Sequence, residues 1–106
     1  MNHNFEQDAR VPDNLDELPD GYVPFAPDLA VEVVSSNDEP KEVNEKVAQY
    51  LKYGTRLVWV MYTDKQEVKV HVPHQKPRTL KVSDTLDGGD VLPGFKIAVK
   101  DIFRRR

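Results

Sequence analysis

Glu32 stands in the middle of an apolar run, Leu29-Ala30-Val31-Glu32-Val33-Val34, with Asp28 just before it and Lys46 a short way downstream. A carboxylate and an ammonium group brought to one place are the minimal equipment for cutting a phosphodiester. The carboxylate can hold a divalent cation that polarises the phosphate and acidifies a bound water. The ammonium can orient that water or stabilise the charge developing on the phosphate oxygens. The same residues can also be read as a solvated carboxylate and a surface ion pair. The surroundings of Glu32 weigh on the choice, because an ionised side chain inside a sheet is costly unless it is paired or metal-bound.

These groups must be positioned by a strand and a helix. Val31, Val33 and Val34 are β-branched, and Pro27 and Ser35-Ser36-Asn37-Asp38 bound the run, so it reads as a strand. Alternation puts Asp28, Ala30, Glu32 and Val34 on one face and Leu29, Val31 and Val33 on the other. Asp28 and Glu32 then lie roughly 13 Å apart, too far to share an ion unless the chain bends at Pro27, which leaves Glu32 the better ligand. Asn37 or Asp38 is placed to cap a helix with Glu39 and Pro40 in its first turn, running to about Tyr53 and stopped by Gly54. Val43, Val47, Tyr50 and Leu51 form its apolar stripe. Lys46 sits at the edge of that stripe, where its stem can pack on the core while its head reaches over the sheet near Glu32.

Beyond the helix, Leu57-Val58-Trp59-Val60-Met61-Tyr62 reads as a second buried strand, and Thr63-Asp64-Lys65-Gln66 as a turn. Glu67 to Val72 alternates strictly, which marks a sheet with one wet face. Pro73 to Pro77 reads as a loop and Thr79 to Val82 as a short strand. Asp84 to Gly94 reads as loop with a tight turn at Gly88-Gly89, and Ile97 and Val99 as a last short strand before Asp101-Ile102-Phe103 docks the end. Strand–helix–strand predicts a right-handed parallel crossover. The class is α/β, in the sense of an α+β mixed sheet carrying one main helix. Residues 1–26, punctuated by Pro12, Pro19, Gly21 and Pro24, read as an extended lead, 27–103 as the folded domain, and 104–106 as a basic tail.

At 106 residues the chain is one domain at most. It contains no cysteine, which excludes disulfides and thiolate metal sites and fits a cytoplasmic location. No apolar run approaches the roughly 18 residues of a membrane span, and Met1 to Glu6 does not look like a secretory signal. The net charge of −3 hides an asymmetry: residues 1–40 hold ten Asp/Glu and one Arg, whereas 41–106 hold fourteen Lys/Arg and eight Asp/Glu. A basic second part is compatible with a phosphate-rich partner, or with simple solvation. Other constellations are thin. His71 and His74 are separated by Pro73 and have no third ligand nearby, and the acidic Asp87-Gly88-Gly89-Asp90 suits a turn better than a phosphate loop.

The run Pro27 to Ser35, followed by Asp38, by Glu45-Lys46 and by Tyr50-Leu51 ahead of Gly54, resembles the Uma-two family of restriction-endonuclease-like proteins in the PD-(D/E)xK nuclease superfamily. The resemblance continues through Leu57-Val58-Trp59-Val60, Asp84-Thr85-Leu86-Asp87-Gly88 and Val91-Leu92-Pro93-Gly94-Phe95 to Ile102-Phe103, and covers about residues 18–103. It implies a restriction-endonuclease-like core and an Mg²⁺- or Mn²⁺-dependent endonuclease that hydrolyses phosphodiester bonds in nucleic acid, with DNA the expected substrate. Glu32 would match the metal-binding glutamate. Val34 stands where the lysine two residues later is usual, and Lys46 matches the position that supplies that lysine from the helix. Asp28 matches the aspartate of the Pro-Asp pair and would support the site as a second metal ligand. Family members carry an earlier Pro-Asp strand with a metal-binding aspartate. Val11-Pro12-Asp13 imitates that pair, but no apolar strand follows it. The expectation is therefore a truncated, C-terminal portion of such a nuclease, completed by a homo-oligomer or a complementing chain. The alternatives are a non-catalytic remnant that binds nucleic acid or protein, or a structural fragment stable only with a partner.

Overall fold

A computed structural model of the chain describes residues 26–104, so the lead expected over 1–26 and the basic tail lie almost wholly outside the described residues. The elements are β1 (Leu29–Val34), α1 (Pro40–Lys52), β2 (Leu57–Tyr62), β3 (Glu67–His71), β4 (Arg78–Leu80), β5 (Thr85–Gly88), β6 (Leu92–Ala98) and α2 (Val99–Ile102). Four strands form one mixed sheet in the order β1-β2-β3-β4. β1 and β2 are parallel across the α1 crossover, and the remaining pairs are antiparallel. β5 and β6 make a separate antiparallel pair.

Alternation along β1 and β2 divides the interior into two cores, one on each side of the sheet. On the first side Ala30, Val34, Val58 and Val60 pack against Val47 and Tyr50 of α1, with Val43, Leu51 and Tyr62 at the margin. On the second side Leu57, Trp59, Val68, Val70 and Leu80 pack against Leu86 of β5 and Val99 of α2. Phe95 of β6 stacks on Trp59, with ring centroids 5.7 Å apart. The molecule is thus a helix, a sheet and a hairpin in three layers, and the apolar stripe read along α1 is the face that meets the sheet.

Three local expectations need correction. Neither Asn37 nor Asp38 caps α1. The N-cap is Glu39, without a side-chain capping bond, because the Asp38 carboxylate is turned back to accept the N–H of Ser35 at 2.9 Å. Pro40 does occupy the first turn. The stretch from Asp84 to Gly94, whose composition predicts a loop, contains β5 and opens β6. Gly88 permits this close pairing, since a Cβ there would stand 2.5 Å from both Cβ and the carbonyl oxygen of Leu92. Finally, Val99 begins α2 rather than continuing a strand. Its N–H donates to the Asp84 carbonyl at 3.0 Å, which ties the end of the hairpin to its beginning. Gly54 does stop α1, at φ +109, a conformation that a side chain would strain.

The hairpin layer is attached chiefly through Leu86, which is 1 % exposed. Leu86→Ala should therefore lower the free energy of unfolding by about 2–5 kcal/mol, read from the urea midpoint. Val33→Ala, at a residue 42 % exposed, should change it by less than about 0.5 kcal/mol.

Candidate active site

Glu32 lies at the centre of β1, opposite Val60 of β2, on the side covered by α1. It is 4 % exposed. The solvated alternative is thereby removed: this carboxylate is enclosed by apolar residues and must be compensated. Two side chains of α1 do so. Lys46 brings Nζ to 3.8 Å from Oε1, and the phenol of Tyr50 donates to Oε2 at 3.2 Å. Lys46 and Tyr50 are four residues apart, hence neighbours on one helix face. Each serves a different oxygen of the same carboxylate.

Lys46 behaves as its place at the stripe edge predicts. Its side chain is 28 % exposed and brings the ammonium head to Glu32. Tyr50 is a partner that the sequence reading counted only as an apolar stripe residue. Its signal was the phenol hydroxyl, which needs a hydrogen-bond partner when the ring is buried.

Asp28 is not brought to Glu32. It precedes β1, its side chain is 71 % exposed, and Oδ1 faces Nε of Arg56 at 3.4 Å. Its backbone carbonyl accepts the N–H groups of Arg56 and Leu57, each at 3.1 Å, and so fixes where β2 begins beside β1. Among the described residues no group of three or more His, Asp or Glu side chains is placed to hold a metal ion.

The rest of this sheet face is polar. Register carries the rung from Glu32 through Val60 to Lys69 of β3 and Thr79 of β4. Glu67 lies on the same face and pairs with Lys81 at 2.9 Å; that hydrogen bond holds its carboxyl below the usual range. Burial pushes the Tyr62 phenol up, and the negative charge of Glu67 adds to this. His71, opposite Val58, is depressed below the ordinary histidine range by partial burial and, secondarily, by the charge of Lys69.

Two outcomes follow from these contacts. Tyr50→Phe removes a donor from a buried carboxylate and should cost about 1.5–3 kcal/mol of stability; a Glu32→Ala background should reduce that cost in a double-mutant cycle. His71 binds its proton more weakly in the folded chain than in the unfolded one. Below the free-histidine pKa of about 6.5 the unfolded state therefore holds more protons, and stability falls as pH drops from there through the folded pKa. An NMR titration should show the His71 midpoint below that of a free histidine and rising toward it in Lys69→Ala.

The fold and sequence can be placed among known proteins. The chain matches a solved structure described as a "putative nuclease belonging to DUF820" from Anabaena variabilis ATCC 29413, with a TM-score of 0.69 and 23 % identity. The match covers 90 % of this chain but 54 % of that one, so the chain spans about half the length of that protein. At that identity the likeness establishes the restriction-endonuclease-like fold. No curated protein matches the sequence. The family model described as "Uma2: Putative restriction endonuclease" matches residues 6–100, and the chain belongs to that family.

Proposed function

We propose that the chain carries the catalytic strand and helix of a metal-dependent endonuclease that hydrolyses phosphodiester bonds in nucleic acid, with DNA as substrate. The observation that carries this reading is the buried carboxylate of Glu32 held between Lys46 and Tyr50. A fold that needed only a strand and a helix would place a leucine or valine there. The family description supports the same chemistry.

A carboxylate such as that of Glu32 is the ligand type of a hard cation such as Mg²⁺ or Mn²⁺, which takes oxygen ligands and is often held by one or two carboxylates together with substrate phosphates and water. Glu32 would be its carboxylate in this chain. When bound, the ion supplies charge to polarise the phosphate and to acidify a water. The side chains have separate tasks. Tyr50 keeps Oε2 engaged and fixes the rotation of the carboxylate. Lys46 presents a cation beside Oε1, where it can stabilise the negative charge that gathers on a phosphate oxygen or orient the attacking water. Asp28 supports the site at a distance, by anchoring β2 through its carbonyl. The lack of a three-ligand cluster among the described residues favours one other reading, a non-catalytic domain of the same fold that binds nucleic acid or protein.

Plasmid nicking in Mn²⁺ tests the first reading. Glu32→Gln and Lys46→Met should each lower the rate by about 10²-fold or more, and nicking that survives both would sink the assignment. Mn²⁺ should raise the melting temperature of the parent chain and leave that of Glu32→Gln unchanged. A parent that neither nicks nor responds to Mn²⁺ points to the non-catalytic domain.

A further inference from the structure

The helix that shields Glu32 leaves the neighbouring part of the sheet open. α1 packs on residues of β1 and β2. Beside it lies a cleft of about 570 Å³, lined by Val34 and Ser35 at the end of β1, Asn44 of α1, Lys65 between β2 and β3, Lys69 of β3 and Thr79 of β4. Resting on the nuclease reading of Glu32 and Lys46, we propose that this cleft is the track for the phosphodiester backbone of the substrate, with Lys69 and Lys65 as its phosphate contacts.

Charge in the cleft supports this assignment. Its two carboxylates are both engaged internally: Glu67 with Lys81 at 2.9 Å, and Asp38 with the N–H of Ser35 at 2.9 Å. Its two cations make no such direct contact with a carboxylate, although the charge of each helps to hold the Glu67 carboxyl low. Among the described residues Lys69 forms no salt bridge. Lys65 rests over the ring of Tyr62, 5.2 Å from the centroid, a contact that leaves the ammonium its hydrogen bonds. Hydroxyl groups of Ser35, Ser36 and Thr79 and the amide of Asn44 line the same space. These are the side-chain types that, with lysine, bind phosphate oxygens without reading sequence.

Register sets the spacing. Lys69 stands on the Glu32 rung, two strands away, which is about 9.6 Å at the usual strand separation. A nucleic-acid strand lying across the rung meets Lys69 with one phosphate while its backbone continues toward Lys46 and the Glu32 strand. Lys69 is thus a positioning residue: it sets where the backbone lies, and Lys65 extends the contact into the turn that joins β2 and β3.

The test measures binding by the full chain in EDTA, so that nothing is cut. Fluorescence anisotropy with a labelled duplex, and with one strand of it alone, is followed from about 50 to 200 mM salt. Lys69→Ala and Lys65→Ala should each make the slope of log K against log salt shallower, by about 0.9 on the duplex or about 0.7 on the single strand. Lys69→Arg should keep the parent slope, as should Lys100→Ala on α2, outside the cleft. The arm with the tighter parent binding identifies which form of nucleic acid the track accepts. Where the parent nicks plasmid, Lys69→Ala should raise KM and leave kcat unchanged. Unaltered slopes in Lys69→Ala and Lys65→Ala overturn the proposal, as does an equal loss in Lys100→Ala or no measurable binding by the parent. Binding with lysine-dependent slopes but no nicking upholds the track and sinks the catalytic reading; nicking with unaltered slopes does the reverse.

Discussion

One buried carboxylate constrains the arrangement of the whole β1–α1–β2 unit. Apolar contacts between a helix and a sheet are non-directional, and the stripe of Val43, Val47, Tyr50 and Leu51 would tolerate a modest rotation of α1 or a slip along its axis. The Glu32 carboxylate does not tolerate either. Lys46 and Tyr50 reach opposite oxygens of one group, and turning the helix about its axis would lose one of them. The enclosed charge thus selects a single seating of α1 from those its stripe allows, with a desolvation cost set against the pairing it forces.

The two faces of the sheet are finished differently as a result. The face bearing Trp59, Val68 and Val70 is sealed by the β5–β6 hairpin and α2, and among the described residues no charged side chain is buried there. The face bearing Glu32 is dry under α1 and wet beyond it, where Glu67, Lys69 and His71 follow one another along β3. The strict alternation of β3 is the sequence counterpart of this division, since each of its residues belongs wholly to one face.

Much of this was legible in the residues. The run from Leu29, the stripe of α1, the apolar Leu57–Tyr62 and the alternating β3 each carry a strong period, and all four elements lie where that period places them. Legibility fell where a period is short or where identity depends on a distant partner. β5 has only Thr85, Leu86, Asp87 and Gly88, half of them turn formers, and becomes a strand because β6 pairs with it. Val99 is β-branched and reads as strand, yet it opens α2, with its N–H donated to the Asp84 carbonyl. At the site, Lys46 was readable from the edge of the stripe. The contact of Tyr50 was hidden behind its apolar ring, and the place of Lys69 on the Glu32 rung depends on a register that no single strand encodes. The exposed setting of Asp28 depends likewise on Arg56, which the β2 strand brings beside it.

Glu32, Lys46 and Tyr50 all belong to the segment from β1 through α1, and β2 closes it. The constellation is therefore inherited as one contiguous stretch of gene. Insertions after β3, exchanges of the hairpin or fusions at either end can reshape the surroundings of the carboxylate without separating it from its two companions. A centre so compact in the chain localises to one short span the side chains whose loss would dismantle it.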